Sequence, residues 1–441
     1  MHDDSAEKSF FRRLISDRRI GAMLGLGFSS GLPYLLVYST QAAWLSEAKV
    51  PIETIGLMSE LTMAYKFKFL WAPFLDQYDA PIFGKLLGRR RGWIVVAQIG
   101  VMAALAGIAF GDPAHWLWWT IGFSLALGFA GATQDVVIDG WRITVAPAEQ
   151  QAMMSAYAQT GYRIAILCAG AGALYLSDRI GWRGAYLFMA ALMAPGVVAA
   201  FMAPEPDSDK VAAVRKERPD FATAVVAPIK EMLMRLGPPT IPILVMIAVF
   251  RMPDYISGAM AMPLYKSLHY TNTDIATVTK LFGFWVALAG IFVGGYVTPR
   301  LGMMPSLMLG TVAASSSHLC FAYLAAHGGD FATFAVAVSI ENFAAAFAST
   351  VLIAYMSSLT SASLAASQYA LLTSLYALPG SLIAGLSGFM VKAMGFERFF
   401  MAAAAIGIPV AALCLYVWRL HAKAERSALK TQSAAPSTPA S

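Results

Sequence analysis

Apolar stretches of roughly 20 residues recur along nearly the whole chain, and at 1.5 Å per residue each is long enough to cross a hydrocarbon layer of about 30 Å. No feature narrows the fold further. In lipid the backbone finds no water to bond, so such stretches must pair their own N–H and C=O groups as helices. Hydrophobic residues make up 58% of the 441 positions and charged residues 13%, with mean hydropathy +0.60, which excludes a set of ordinary soluble domains. The first 20 residues are charged, and no small-residue cleavage site follows a short apolar core, so a removable leader is not expected. The net charge of +6 could suggest nucleic acid, but the basic residues sit in short loops between spans, where membrane topology explains them. Cys168, Cys320 and Cys414 lie far apart in separate apolar stretches, which excludes a disulfide framework or a cysteine metal set.

The hydropathy pattern predicts helices at about 20–45, 55–75, 93–111, 116–141, 151–176 and 183–203, then 238–264, 273–298, 303–326, 330–357, 366–391 and 398–418. The expected fold is therefore an all-α membrane protein with twelve transmembrane helices in two six-helix bundles. Residues 1–203 form the first bundle, 204–237 a cytoplasmic linker, 238–420 the second bundle, and 421–441 a disordered tail. With both termini cytoplasmic, inside segments hold about 21 of the 32 Lys and Arg, outside loops about 6, and spans the other five, as the positive-inside rule requires. The triplet Trp116, Trp118 and Trp119 reads as an interfacial aromatic belt. Halves that echo each other support the division. Leu75-Asp76-Gln77-Tyr78 and the basic Gly88-Arg89 turn follow helix 2, while Gly295 to Gly302 follow helix 8 about 220 residues later. The pair resembles the loop signature of the major facilitator superfamily.

An ionisable group inside a span costs several kcal/mol unless it meets a partner or a cavity, so each is a functional candidate. Depth along the helices puts Lys68 and Asp135 both about 10 Å from the cytoplasmic boundary, which predicts a pair. The same arithmetic puts Asp254 and Lys280 at matching depth on the other side, a second candidate pair. Arg163, Arg251 and Glu341 fall near the midplane, where transporters bind substrate and coupling ions. Glu341 is expected to carry a proton and the two arginines to contact an anion. Asp76 and Asp139, at the cytoplasmic rim near Arg89 to Arg91 and Arg142, read as latches. Each of these charges could instead be a purely structural ion pair. Asp135 and Asp139 share a helix face at i and i+4, yet no nucleophile cluster accompanies them, so hydrolysis and enzyme activity in general are not expected. Gly27, Gly31 and Pro33 sit in a small-residue run that allows close helix approach; it lacks the strand and third glycine of a dinucleotide loop.

Several stretches resemble the AmpG-type anhydromuropeptide permeases of the major facilitator superfamily. They are Gly27-Phe28-Ser29-Ser30-Gly31-Leu32-Pro33, Phe67-Lys68-Phe69-Leu70-Trp71-Ala72-Pro73 and Ala132-Thr133-Gln134-Asp135-Val136-Val137-Ile138-Asp139, then Gly161-Tyr162-Arg163, Pro253-Asp254, Glu341-Asn342-Phe343 and Ser367-Gln368-Tyr369-Ala370-Leu371-Leu372. The likeness touches nearly every span, though Lys66 stands where the family usually has an apolar residue. It implies import of N-acetylglucosaminyl-anhydro-N-acetylmuramic acid, with or without stem peptide, across the bacterial inner membrane by alternating access, driven by the proton gradient with no bound cofactor. Gln134, Tyr162, Arg163, Arg251, Asn342 and Gln368 would suit such a hydroxyl- and carboxylate-rich ligand. The expected partners are the lipid bilayer and the anhydro-disaccharide or muropeptide; nucleic acid is not one, and the chain is expected to be monomeric. Competing readings are a permease for another anionic or amphiphilic solute and a non-transporting membrane sensor.

Overall fold

The computed structural model describes residues 17–51, 54–55, 58, 60–206 and 221–433, and these are almost wholly helical. We number α1 Arg18–Leu36, α2 Ser39–Glu47, α3 Ala72–Gln77, α4 Arg89–Ala109, α5 Leu117–Val145, α6 Gln151–Leu167, α7 Ala173–Ala191 and α8 Ala194–Met202. There follow α9 Phe221–Leu236, α10 Thr240–Val249, α11 Met252–Ser267, α12 Gly283–Leu301, α13 Met303–His327, α14 Phe331–Ser358, α15 Ala365–Ala384 and α16 Ser387–Ser433. Among the described residues nine helical stretches are long and apolar enough to cross a bilayer. Two of them, 148–202 and 387–423, contain a glycine at positive φ, Gly181 (71°) and Gly395 (79°), which breaks the helix there. No side-chain-bearing residue adopts that backbone cheaply.

Each break has a local cause. Asp17 starts α1 by accepting the Arg19 backbone N–H at 2.9 Å. The start of α4 is capped from a distance: both carboxylate oxygens of Glu205 accept backbone N–H groups, from Arg90 at 2.9 Å and Arg91 at 3.1 Å. The turn into α4 needs Gly88, at φ 86°, because a Cβ there would lie 2.5 Å from the Glu205 side chain. Burial raises the Glu205 pKa, and the two backbone N–H groups oppose that shift without cancelling it.

Three expectations are corrected here. The helix predicted over 55–75 is short pieces in the described residues, with tight turns at Glu60–Met63 and Lys68–Leu70 around a four-residue helix. The helix predicted over 238–264 is two, α10 and α11, parted at Phe250 and Arg251. Pro253 has no N–H to give the carbonyl four residues back, and its ring crowds that turn. In place of a disordered tail from 421, α16 continues to Ser433 through a run of Ala, Lys, Glu and Arg, all strong helix formers. Residues 434–441 lie outside the described residues, as do 207–220 of the expected linker, whose remainder includes α9. Two spans also loosen into wide π turns, at Cys168–Gly172 and Thr277–Phe282.

The chain forms two compact units. The first is Met1–Met232 together with Ile291–Pro299 and Ile353–Ser374, so the N-terminal helices hold two short segments from later in the chain. Its core joins Leu26, Ile94, Val137, Trp141 and Ala200 to Ala366 and Ala370, and a second cluster gathers Leu36, Leu105, Leu127, Tyr186 and Met189. Helices α1 and α6 pack so closely that a Cβ on Gly27 would lie 2.3 Å from the Ala158 carbonyl oxygen, and one on Gly31 2.5 Å from that of Tyr162. Gln41, Gln98 and Gln134 tie the same unit together inside the core: Gln98 Nε2 donates to Ser29 Oγ and Gln134 Nε2 to the Ser29 carbonyl. The second unit is Leu233–Gly290, Arg300–Leu352 and Leu375–Ser441. Its core is aromatic, with Tyr265, Phe321, Phe334, Phe399 and Phe400 buried together.

Candidate functional site

Among the described residues, three clusters of buried charges stand out, two in the first unit and one in the second. In the first, Lys68 Nζ lies 3.9 Å from Asp135 Oδ2, and Ser30 on α1 donates its hydroxyl proton to Asp135 Oδ1. Tyr65 stands on the same irregular stretch as Lys68, its hydroxyl against Gly131, where a Cβ would meet it at 2.2 Å. Its ring meets that of Tyr34 edge-on at 5.5 Å, and Tyr34 in turn neighbours Tyr38 at 6.3 Å. Trp71 donates from Nε1 to Thr133 Oγ1 at 3.0 Å. A carboxylate, an ammonium, hydroxyls and aromatic faces are the groups that hold sugars, which offer hydroxyls on their edges and C–H groups on their faces.

The second cluster anchors the segment 353–374 to the N-terminal helices. Asp76 at the end of α3 pairs with Arg90 Nη2 at 2.7 Å, both nearly wholly buried. Its other oxygen accepts the Ser367 backbone N–H at 2.8 Å and the Ser367 hydroxyl, while Arg89 donates to the Asp76 carbonyl. Arg142 is fully buried at the foot of α5. It donates to Gln151 Oε1 at 3.1 Å, Ser155 Oγ at 3.0 Å and Ser357 Oγ at 2.9 Å, reaches Asp139 Oδ1 at 3.3 Å, and lies over the Tyr369 ring at 5.0 Å. The two terminal nitrogens of this buried arginine are thereby satisfied, which offsets the cost of burying its charge.

The third cluster lies in the second unit. Arg251, in the gap between α10 and α11, donates from Nε to Asp254 Oδ2 at 2.7 Å and from Nη1 to Tyr376 OH at 3.2 Å. Asp254 Oδ1 faces His318 Nε2 on α13 at 3.3 Å. The carboxylate thus sits in the first turn of α11, where the helix dipole favours an anion, between two basic groups.

Set beside the sequence expectations, Lys68 and Asp135 do face each other, and Asp76 and Asp139 each meet an arginine at the foot of the first unit. The oxygens of Asp254 face Arg251 and His318, and the expected pair with Lys280 falls on a side chain outside the described residues. Gln134 and Gln368, expected to bind substrate, are fully buried and bonded within the protein, although Gln134 Oε1 has no hydrogen-bond partner among the described residues. Gln134 holds the Ser29 carbonyl, while Gln368 accepts the Ser361 N–H and donates to the Pro228 carbonyl and Glu231. Tyr162 and Arg163 are half-buried on α6, and Glu341 and Asn342 half-buried on α14, where Asn342 donates to the Val338 carbonyl at 2.9 Å. Sequence reasoning placed Asp76 near Arg89 to Arg91, and Arg90 is the one it pairs with; it missed His318 and Tyr376 and gave Ser367 no role. His318 carried a signal: a histidine inside an apolar span, after Ser315-Ser316-Ser317, is an ionisable group in lipid like the acids that were singled out.

Residues 27–255 match the model of the Major Facilitator Superfamily. The chain is 31% identical over 403 residues to the anhydromuropeptide permease of Escherichia coli (strain K12), covering 91% of this chain and 80% of that protein. The chain belongs to the AmpG-type permease family of the major facilitator superfamily. It is therefore a multi-pass membrane transporter and not an enzyme. A second member of this family, the putative transporter AmpG 4 of Rickettsia felis, is 30% identical over 407 residues, with 92% of this chain and 98% of that one covered. Among solved structures, the proton:xylose symporter XylE bound to 6-bromo-6-deoxy-D-glucose superposes with a TM-score of 0.65 at 13% identity, covering 91% of this chain and 94% of that one. The human organic anion transporter MFSD10 (TETRAN) gives 0.66 at 14%, covering 91% and 99%. These last two likenesses show the fold: the chain has the all-helical major facilitator architecture.

Proposed function

We propose that this transporter imports anhydromuropeptides, N-acetylglucosaminyl-anhydro-N-acetylmuramic acid with or without stem peptide, across the bacterial inner membrane into the cytoplasm, coupled to inward proton flow. Similarity over 91% of the chain to a permease of that name supports the reading most strongly. In this reading the twelve spans place both termini in the cytoplasm. Within the first unit the Tyr34, Tyr65, Lys68, Asp135 and Ser30 cluster supplies sugar-binding chemistry and Arg163 a cationic group; within the second unit Arg251 supplies a cationic contact for a carboxylate. Gln134 and Gln368 act instead as interhelical clamps. Glu341 carries a proton within the second unit, and Asp76 with Arg90, and Arg142 with Asp139, hold the cytoplasmic ends of the helices.

The experiment is uptake of radiolabelled anhydro-disaccharide into proteoliposomes of the purified protein under an imposed proton gradient. Accumulation above the external concentration, abolished by an uncoupler, is expected. Entry unaffected by the gradient would remove the coupling, and no entry at all would remove the substrate. In the same vesicles Glu341→Gln should exchange ligand across the membrane yet fail to accumulate it, because the side chain keeps its shape and loses its proton.

A further inference from the structure

His318 is fully buried in the middle of α13, and the machinery described so far gives it no task. Asp254 is acceptor-only when ionised, so the nitrogen 3.3 Å from its Oδ1, Nε2, is the one that carries the hydrogen. The other ring nitrogen, Nδ1, then holds a lone pair, and it is buried with no hydrogen-bond partner among the described residues. A buried nitrogen left in that state is costly and calls for an explanation, and histidine is the side chain that takes up a proton most readily near neutral pH.

The surrounding charges say what must arrive with the proton. From the start of α11 the ring faces Asp254, with Arg251 on the far side of that carboxylate, and Ser257 Oγ is 3.5 Å from Nε2. Tyr376 on α15 reaches the Arg251 guanidinium. On α16, packed along α13, Gly407 lies against Ser315 and Cys414 against Thr311, and neither carries charge beside the ring. On α14, Glu341 lies within electrostatic reach of Tyr265 of α11. With His318 neutral, Arg251 and Asp254 cancel. A proton on Nδ1 leaves this group of three with one uncompensated positive charge in a medium where that is expensive. An anion bound against Arg251 would remove the excess.

We infer that His318 is the proton-binding residue whose loading is linked to the carboxylate of the ligand: Asp254 stays ionised between Arg251 and the imidazole, the proton enters at Nδ1, and proton and anion are taken up together as a neutralising pair. The inference rests on the substrate reading above and adds to it a second titrating group, beside Glu341, and the ligand charge that makes that second group titrate. Linkage is reciprocal, so lowering pH must tighten binding of the anionic ligand by as much as the ligand favours the proton.

The test is equilibrium binding of the anhydro-disaccharide to the purified protein between about pH 5 and 8, where histidine changes charge. We measure it with the free acid and with the uncharged amide of the lactyl carboxylate. For the free acid, Kd should weaken up to tenfold per pH unit in the upper part of that range, and for the amide it should stay level. His318→Gln should abolish the slope for the free acid. A slope that survives His318→Gln, or that is equal for acid and amide, or that is absent from both in the wild type, overturns the role of His318. Should His318→Gln fail to fold, the two wild-type ligand series decide alone. Failure of the wild type to bind either ligand at any pH counts instead against the substrate reading, which separates the two conclusions.

Discussion

At the residue scale, the pairs that hold charge inside the bilayer are distinguishable by what else they touch. Lys68 and Asp135 are 3.9 Å apart, too far for a strong hydrogen bond, and Asp135 takes its hydrogen bond from Ser30. The pair behaves as two charges held near each other, with the carboxylate partly committed elsewhere. Removing the lysine alone would leave an uncompensated, largely buried carboxylate, at a cost of about 3–5 kcal/mol. Lys68→Ala should therefore lower the thermal stability of the detergent-solubilised protein sharply, and Lys68→Ala with Asp135→Asn should recover part of the loss. A double variant no more stable than the two single losses added together would mean the charges do not interact. The pairing was legible from depth along two helices. Ser30 was not, because a serine in a Gly-rich run reads as a packing residue until its hydroxyl is seen to face an acid.

At the element scale, the spans are more interrupted than hydropathy indicates. Hydropathy is an average over a window, and a proline or a positive-φ glycine barely alters it while ending a helix outright. The break at Phe250 and Arg251 places the arginine where no regular turn surrounds it and puts Asp254 at the first turn of α11. Discontinuous helices with charged groups at their ends are how membrane transporters present binding groups at depth. Close approach of α1 to α6 is the other element-scale feature, and the glycines were readable as its cause, though the partner helix was not. A side chain larger than hydrogen at Gly31 would push into the Tyr162 carbonyl at 2.5 Å. Gly31→Val should cost about 1–3 kcal/mol through forced helix separation, read as a lower melting temperature, whereas Gly21→Ala, with open space around its Cβ, should melt as the wild type does. Equal melting of all three would show that the close approach carries no strain.

At the scale of the whole molecule, the informative observation is that Ile291–Pro299 and Ile353–Ser374 belong to the same compact unit as the N-terminal helices. Asp76 does much to hold the second of these segments, through Arg90 on one oxygen and Ser367 on the other. Asp76→Ala leaves the Arg90 guanidinium buried without its anion and frees the Ser367 amide. We expect a stability loss of about 3–5 kcal/mol, together with faster amide hydrogen exchange over 364–370 than in the wild type. Unchanged exchange in that segment would mean that the apolar contacts of Ala366 and Ala370 hold it without the aspartate. The sequence by itself determined that this chain lives in a membrane, where most of its helices run, which family it joins, and which intramembrane charges need partners. Those properties follow from local hydropathy, helix length and residue identity, none of which depends on the rest of the chain. Only the tertiary structure decided the partners: Asp254 with Arg251 and His318, Asp76 with Arg90 and Ser367, Gln134 and Gln368 with backbone carbonyls. Which side chains meet is set by the rotation and depth of helices far apart in sequence, and a hydropathy profile carries neither.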